Sequence, residues 1–159
     1  MTFDTRTVDV VVIGAGQAGL SAAYFLRRAG FPPERGYVVL DANEHPGGAW
    51  QHRWPSLRFD KAHGFHPLPG MDFGDIDPRE PASAVVSRYF AEYERRFELP
   101  VHRPVRATAV REAGDGRLRV ETDAGVWTAR ALINATGTWT RPYWPYYPGR
   151  ETFRGRQLH

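Results

Sequence analysis

The sequence predicts an α/β domain built on a parallel sheet with a small β-meander added, and three observations predict it. Residues 10–13 form a continuous β-branched apolar run, which is typical of a strand buried on both faces. A helical pattern over residues 17–29 and a second apolar run at residues 37–40 follow directly. Between residues 105 and 131, short alternating segments separated by glycine-containing turns indicate the meander.

Three glycines connect the first predicted strand to the first predicted helix. Gly14, Gly16 and Gly19 have the spacing G-x-G-x-x-G. In this setting the first glycine permits a tight turn, the second lets a phosphate approach the backbone, and the third lets the helix pack closely on the sheet. The free amides and the positive dipole end of the helix would face the pyrophosphate of a dinucleotide. Gly30 is a natural end for this helix.

An acidic residue closes the second predicted strand. Asp41 stands 22 residues after Gly19, directly behind the run Tyr37–Leu40. A carboxylate at this point can accept hydrogen bonds from both ribose hydroxyls and would repel a 2′-phosphate, which favours FAD or NAD over NADP. Glycines that only make a turn are the alternative. The order of strand, glycines, helix and acid favours dinucleotide binding over that alternative.

The middle of the chain predicts one long irregular segment and one helix. Residues 42–77 are rich in proline, glycine, histidine and aromatic residues, and the many aromatics argue against disorder. A helix should begin between residues 78 and 84 and run to about residue 98, with Asp77 as its cap. Its apolar stripe is expected to pack in the core and consists of Val86, Phe90, Tyr93 and Phe97.

Four short strands are predicted for the second half of the chain. Three of them form the meander, at residues 108–110, 118–122 and 126–128. A separate buried strand at residues 131–135 should then end at Thr136 and Gly137. The tail from residue 139 onward is rich in proline and aromatic residues and has no clear periodicity.

Composition excludes several classes of function. The 159 residues carry a formal charge of +3, and their 20 arginines and one lysine are spread out with no run longer than a pair, so we expect no nucleic-acid partner. The absence of cysteine excludes disulfides, thiolate metal sites and a C-x-x-C pair from this stretch. His63 and His66 lack an obvious third ligand, so no metal site is predicted. No apolar run is long enough for a membrane span and no leader is recognisable, so a cytoplasmic location is expected.

Several motifs beyond the glycines carry a resemblance to one family. They are the segment Pro46-Gly47-Gly48-Ala49-Trp50, the stretch Trp54-Pro55-Ser56-Leu57-Arg58-Phe59-Asp60, the triplet Ala135-Thr136-Gly137 and the tail Phe153-x-Gly155-x-x-x-His159. Together they resemble the flavin-dependent monooxygenases of the flavin-containing (FMO) and Baeyer–Villiger type. The resemblance implies a Rossmann-like FAD-binding domain, NADPH bound by a second domain, and transfer of one oxygen atom from a C4a-(hydro)peroxyflavin to a small-molecule substrate.

The resemblance also implies roles for individual residues. Arg58 and Asp60 would sit near the flavin ring as weak catalytic candidates, although a structural ion pair between them is an equal alternative. Val105 would meet the adenine, and Phe153, Gly155 and His159 would link the FAD and NADPH domains. The implied cofactor-binding residues are Gly14, Ala15, Gly16, Gln17, Gly19, Asp41, Ala42, Gly48, Trp50, Arg58, Val105, Thr136 and Gly137.

This sequence departs from the family pattern in four respects. Asp41 stands where the family usually has Glu, Trp54 replaces a more common Tyr, and Ser56 replaces a more common Gly. The chain also stops at His159. The resemblance therefore implies that residues 1–159 form an N-terminal FAD-binding domain of a longer protein, without the NADPH domain and the C-terminal FAD segment, and with an unfinished sheet that invites self-association. Two other functions stay open: a reductase of the thioredoxin or ferredoxin reductase type, and a non-catalytic nucleotide-binding fragment.

Overall fold

A computed structural model describes residues 5–158 and confirms the predicted α/β class. The chain forms β1 (Thr5–Ile13), α1 (Gln17–Arg28), β2 (Tyr37–Leu40), α2 (Ala82–Arg96) and β3 (Val101–His102), followed by β4 (Ala107–Glu112), β5 (Leu118–Thr122) and β6 (Gly125–Asn134). Short 3₁₀ turns lie at Gly48–His52, Phe59–Lys61 and Arg150–Thr152.

All six strands belong to one mixed sheet, in the order β3-β2-β1-β6-β5-β4. The first four strands in that order run parallel, and β6, β5 and β4 are antiparallel neighbours. The parallel strands β1, β2 and β6 therefore end at the same edge of the sheet. Ligands of open α/β sheets bind at that edge, outside the carboxyl ends of the strands.

The core lies on both faces of the parallel strands. All four residues of β2 are buried, with Tyr37 and Val39 in the cluster that α1 and α2 cover, and Val38 and Leu40 in the cluster on the opposite face. Alternation of side chains along a strand produces this division. The double burial explains why β2 is a continuous apolar run.

The predicted division of the last strand is wrong. We expected a meander strand at residues 126–128 and a separate buried strand at residues 131–135, but both are parts of the single strand β6. Its first half pairs with β5 and its whole length pairs with β1. Residues 131–134 are exposed or half-buried rather than buried. Arg130 interrupts the apolar pattern, and this interruption led to the predicted break.

Sequence analysis was also wrong about the cap of α2. The helix begins at Ala82 after Pro81, and it has no side-chain cap. Asp77 instead accepts a hydrogen bond from the Arg79 amide at 2.9 Å, within the turn that precedes the helix. Two prolines, Pro78 and Pro81, hold this turn out of the helix, because proline disfavours helical backbone at the residue that precedes it.

Two tyrosines of α2 hold the irregular segment in place. The Tyr89 hydroxyl accepts a hydrogen bond from the Leu68 amide at 2.8 Å and donates one to the Met71 carbonyl at 2.5 Å. The Tyr93 hydroxyl donates to the Pro69 carbonyl at 2.7 Å. Buried phenol groups thus satisfy backbone groups that no strand or helix pairs.

Candidate functional site

The turn that leaves β1 requires glycine at its first position. Gly14 has a φ of +102°, and a Cβ on it would lie 2.3 Å from the Ala135 carbonyl oxygen. Its amide donates a hydrogen bond to the Leu40 carbonyl at 2.7 Å. The backbone of Gly14 is therefore enclosed by the ends of β2 and β6, where no side chain fits.

The second glycine faces open space. Gly16 has a φ of −85°, which any residue adopts, and a Cβ on it would have no atom within 4 Å. It precedes α1, which has no side-chain cap and no acidic residue in its first turn. The first amides of a helix have no partner inside the helix, and Gln17 and Ala18, which carry two of them, line the cavity at this edge of the sheet. This arrangement suits an anion.

A second glycine segment approaches the first one. Gly48 has a φ of +52°, and a Cβ on it would lie 2.9 Å from the Gly16 Cα. Two backbones that are far apart in sequence thus touch without side chains between them. Both glycines line one cavity beside the start of α1.

A cavity of about 930 Å³ lies at this edge of the sheet. It brings together most of the predicted cofactor-binding residues. Those that line it are Gly14, Ala15, Gly16, Gln17, Asp41, Ala42, Gly48, Trp50, Val105, Thr136 and Gly137. The glycine turn and the acid that closes β2 thus share one cavity.

Gly19 and Arg58 do not line this cavity. Gly19 is buried, and a Cβ on it would lie 1.8 Å from the Gly14 carbonyl oxygen, so it serves the close packing of α1 on the turn. Arg58 lies elsewhere on the surface, with Nη2 2.6 Å from Asp60 Oδ2 and Nε 3.1 Å from Asp60 Oδ1. The structure therefore has the ion pair that sequence analysis left as the alternative to a catalytic role.

The Arg58–Asp60 pair changes the acidity of both groups. The hydrogen bond from Arg58 lowers the pKa of Asp60, and the same bond raises the pKa of Arg58. Both side chains are substantially exposed, so water screens the attraction. Nothing in this geometry brings either group to the cavity.

Asp41 is a buried carboxylate with partners on both oxygens. The residue is 3% exposed, and its Oδ1 accepts a hydrogen bond from Asn43 Nδ2 at 2.9 Å. Its Oδ2 accepts one from Arg103 Nη2 at 3.1 Å. The Asn43 backbone amide donates a further hydrogen bond to Oδ1 at 3.3 Å. Because a carboxylate offers about four acceptor positions, one position remains for a ligand hydroxyl.

Sequence reasoning missed Arg103 and its second partner, Glu94. Arg103 Nη1 lies 2.6 Å from Glu94 Oε2, and Nη2 lies 2.9 Å from Glu94 Oε1, so α2 holds the guanidinium in a two-pronged contact. Burial alone would lower the pKa of Arg103, but the hydrogen bond and charge of Glu94, helped by Asp41, raise it. No local motif could have found this network, because its members are 53 and 62 residues apart from Asp41.

A group of polar and aromatic side chains at one side of the cavity was also missed. The rings of His52 and Trp139 are stacked, with centroids 5.6 Å apart and an angle of 14° between their planes. Arg53 covers the same indole at 4.9 Å from its centroid. His52 Nε2 lies 3.0 Å from Asn43 Oδ1, and His52, Asn43 and Trp139 all line the cavity. The stack connects the segment after β6 with the 3₁₀ turn at Gly48–His52.

Two arginines add positive charge to the cavity. Arg106 and Arg141 both line it. No group of three metal-ligating side chains occurs within residues 5–158, and no helix in that range is long and apolar enough to cross a membrane. Of the tail motif, Phe153 and Gly155 lie outside the cavity lining, while His159 is outside the described residues.

The fold and the glycine-lined cavity are those of a Rossmann-like dinucleotide-binding domain. The chain belongs to the pyridine nucleotide-disulphide oxidoreductase family, whose sequence model matches residues 11–157.

Comparison with individual proteins gives a narrower relationship. An uncharacterized oxidoreductase CzcO-like of Geobacillus kaustophilus is 29% identical over 152 residues, which are 96% of this chain and 42% of that protein. A flavin-containing monooxygenase from Stenotrophomonas maltophilia is 50% identical with a TM-score of 0.79, and the match covers 94% of this chain and 44% of that one. The structure of OTEMO in complex with FAD and NADP is 28% identical with a TM-score of 0.68, and the match covers 96% and 30%.

These similarities confirm the resemblance to flavin-dependent monooxygenases that the motifs indicate. The chain spans less than half the length of these relatives.

Proposed function

We propose that the cavity binds FAD, and that the protein is an FAD- and NADPH-dependent monooxygenase acting on a small molecule. One observation carries the proposal: the open backbone of Gly16 at an uncapped helix start and the buried carboxylate of Asp41 line the same cavity. A dinucleotide needs both groups, one for its diphosphate and one for its adenosine ribose.

We assign the other predicted residues to parts of FAD by their positions. Ala42 would follow Asp41 along the adenosine, and Val105 would meet the adenine through its backbone. Gly48 and Trp50 would extend from the diphosphate towards the isoalloxazine, and Thr136 with Gly137 would let the chain pass close to the cofactor. Gly19 would act through packing, and Arg58 stays a prediction because it does not line the cavity.

FAD, when bound, would supply the hydride acceptance and oxygen activation of such an enzyme. The chain's own residues would bind it, orient it and exclude water. Amides at the start of α1 would hold the diphosphate, and Asp41 would fix the adenosine end. The aromatic ring of Trp50, packed edge-on against Phe65 at 5.2 Å between centroids, would form an apolar wall of the cavity.

Several features of the whole protein belong to the same proposal. Residues 1–159 would form one FAD-binding domain, with NADPH bound by a second domain. One oxygen atom would be transferred to a nucleophilic nitrogen or sulfur, or inserted beside a carbonyl. A cytoplasmic location is part of it, because the reaction draws on NADPH, and cell fractionation would check it. Self-association stays a prediction, which light scattering of the purified chain would check.

FAD binding is tested with the chain itself. Titration with FAD, followed by flavin fluorescence, should give saturable binding, and the flavin absorbance should remain with the protein through gel filtration. FMN is the matched control, because it has the same ring system without the adenosine diphosphate portion that Gly16 and Asp41 would hold. Equal affinity for FMN and FAD, or no uptake of FAD, would refute this part of the proposal.

Monooxygenase activity is tested on the full-length product of the gene. NADPH oxidation and oxygen consumption should rise together with a substrate from a panel of sulfides, amines and ketones, and mass spectrometry should find the product heavier by one oxygen atom. The description of the matched family favours a second candidate, a disulphide reductase, although these 159 residues contain no cysteine. NADPH-driven reduction of a disulphide without oxygen insertion would support that candidate.

A further inference from the structure

A buried triad of ionised side chains lies next to the cavity, and none of its members belongs to the glycine turn. Arg103 lies between the carboxylates of Asp41 and Glu94. The side chains of Asp41, Arg103 and Glu94 are only 4%, 12% and 12% exposed. Of the three, only Asp41 lines the cavity. Arg103 and Glu94 therefore do not contact a ligand in the cavity, and they affect it through the position of Asp41 and through their own charges.

The two carboxylates of the triad contact Arg103 unequally. Glu94 takes both terminal nitrogens, at 2.6 and 2.9 Å, while Asp41 takes only Nη2 at 3.1 Å. The Arg103 Nε has no partner within the described residues. The shorter, two-pronged contact marks Glu94 as the principal partner of the guanidinium. The hydrogen bond to Asp41 then fixes the direction of that carboxylate.

Glu94 affects the ligand because it changes the net charge of the triad. A buried Asp–Arg pair alone would be neutral, and a neutral pair would not repel an anion. With Glu94 present, two carboxylates share one guanidinium, so the triad keeps one net negative charge beside the cavity when all three groups are ionised. That charge strengthens acceptance of hydroxyl hydrogens and repels a phosphate at the same place.

We infer that Glu94 and Arg103 are positioning residues that set the ribose specificity of Asp41, so that the cavity accepts a free 2′-hydroxyl and excludes a 2′-phosphate. This inference rests on the proposed function, because it takes the adenosine ribose to lie at Asp41. It adds that the specificity depends on an acid of α2 that never touches the ligand.

The test compares ADP with 2′-phospho-ADP, both as competitors of FAD on the 159-residue chain, read by flavin fluorescence. Wild-type protein should bind ADP at least about tenfold more tightly, because a like charge at the site opposes the phosphate. Glu94→Gln keeps the size of the side chain and removes its charge, so that ratio should fall at least about threefold. Glu94→Asp keeps the charge on a shorter side chain and should retain the ratio.

The pair of Glu94 variants separates charge from packing. A purely structural role would make Glu94→Asp the more damaging variant, because Gln has the size of Glu, whereas the inference predicts the opposite order. Glu92→Gln is the matched control, since Glu92 is an exposed acid of the same helix that pairs with Arg95. Its ratio should equal that of the wild type. Thermal melts by circular dichroism report whether each variant is folded.

Each outcome bears on one proposal. A wild-type chain that binds neither ADP nor FAD overturns the proposed function. A wild-type chain that binds ADP without preference over 2′-phospho-ADP overturns only the inference, as does a folded Glu94→Gln variant with the wild-type ratio. Should Glu94→Gln fail to fold, Arg103→Lys tests the two-pronged contact, and the binding of ADP is then compared with that of 2′-deoxy-ADP. The wild type should bind ADP about tenfold more tightly than 2′-deoxy-ADP. In Arg103→Lys this preference should fall below about threefold, and an unchanged preference contradicts the inference.

Discussion

Replacing Gly16 by alanine should weaken nucleotide binding by about tenfold or more while leaving the fold intact. The added methyl group meets no atom within 4 Å, and the φ of −85° suits alanine. Alanine is a poorer N-cap than glycine by about 0.5–1 kcal/mol. The lower entropy of the unfolded alanine chain offsets this by about 0.4–1 kcal/mol. The net change in the free energy of unfolding is therefore near zero.

The same methyl group should obstruct the bound nucleotide. It would occupy the space where a phosphate must approach the amides at the start of α1. Losing one charge-assisted hydrogen bond there costs about 1.5–3 kcal/mol, so FAD affinity should fall by about tenfold or more. Gly14→Ala supplies the contrast, because its methyl group would lie 2.3 Å from a backbone oxygen at a φ of +102°.

The two alanine variants are compared by thermal melting and by FAD titration. Gly14→Ala should lose about 3 kcal/mol or more from backbone strain and overpacking, which lowers the melting temperature by roughly 6–12 °C for a chain of this size. Gly16→Ala should melt within about 2 °C of the wild type. Equal melting losses in the two variants, or wild-type FAD affinity in Gly16→Ala, would refute the assignment of Gly16 to the diphosphate.

Three further predictions concern packing, pH and the side of the cavity. Tyr89→Phe leaves the Leu68 amide and the Met71 carbonyl without the Tyr89 hydroxyl as partner, so the free energy of unfolding should fall by about 1–3 kcal/mol; an unchanged melting temperature contradicts this. Burial raises the pKa of Tyr89 and Tyr93 from the ordinary value of 10.0, so stability is complete below pH 10 and should fall as the pH rises above it; melts between pH 8 and 11 check this, with a shallower fall expected for Tyr93→Phe. Trp139→Ala removes a stacked ring at 39% exposure, so FAD affinity should drop by about threefold to tenfold with little change in melting, as titration and melts would measure.

Local pattern was sufficient to locate β1, α1 and β2. The predicted strand at residues 37–40 matches β2, because burial on both faces leaves a continuous apolar run. Gly14 and Gly16 could be assigned different tasks from their spacing alone, and the structure confirms the steric requirement at Gly14. The same local reasoning divided β6 in two, because Arg130 has the polarity of a turn although its backbone continues the strand.

The parts of the site that sequence analysis missed depend on distant pairs. Glu94 lies outside the predicted apolar stripe of α2, where the pattern indicates solvent exposure, yet its carboxylate is held against Arg103 just after β3. His52 and Trp139 are 87 residues apart and become neighbours only after β6 returns beside β1. Such contacts follow from the order of the strands, which pattern and propensity do not specify.

The touching backbones of Gly16 and Gly48 make these two positions interdependent in any engineering of the protein. A side chain at Gly48 would push against the Gly16 Cα at 2.9 Å, so its first effect would be felt in the other loop. Libraries that randomise one loop while holding the other fixed should therefore recover mostly glycine at position 48. Productive variation would have to sample both loops in the same clone.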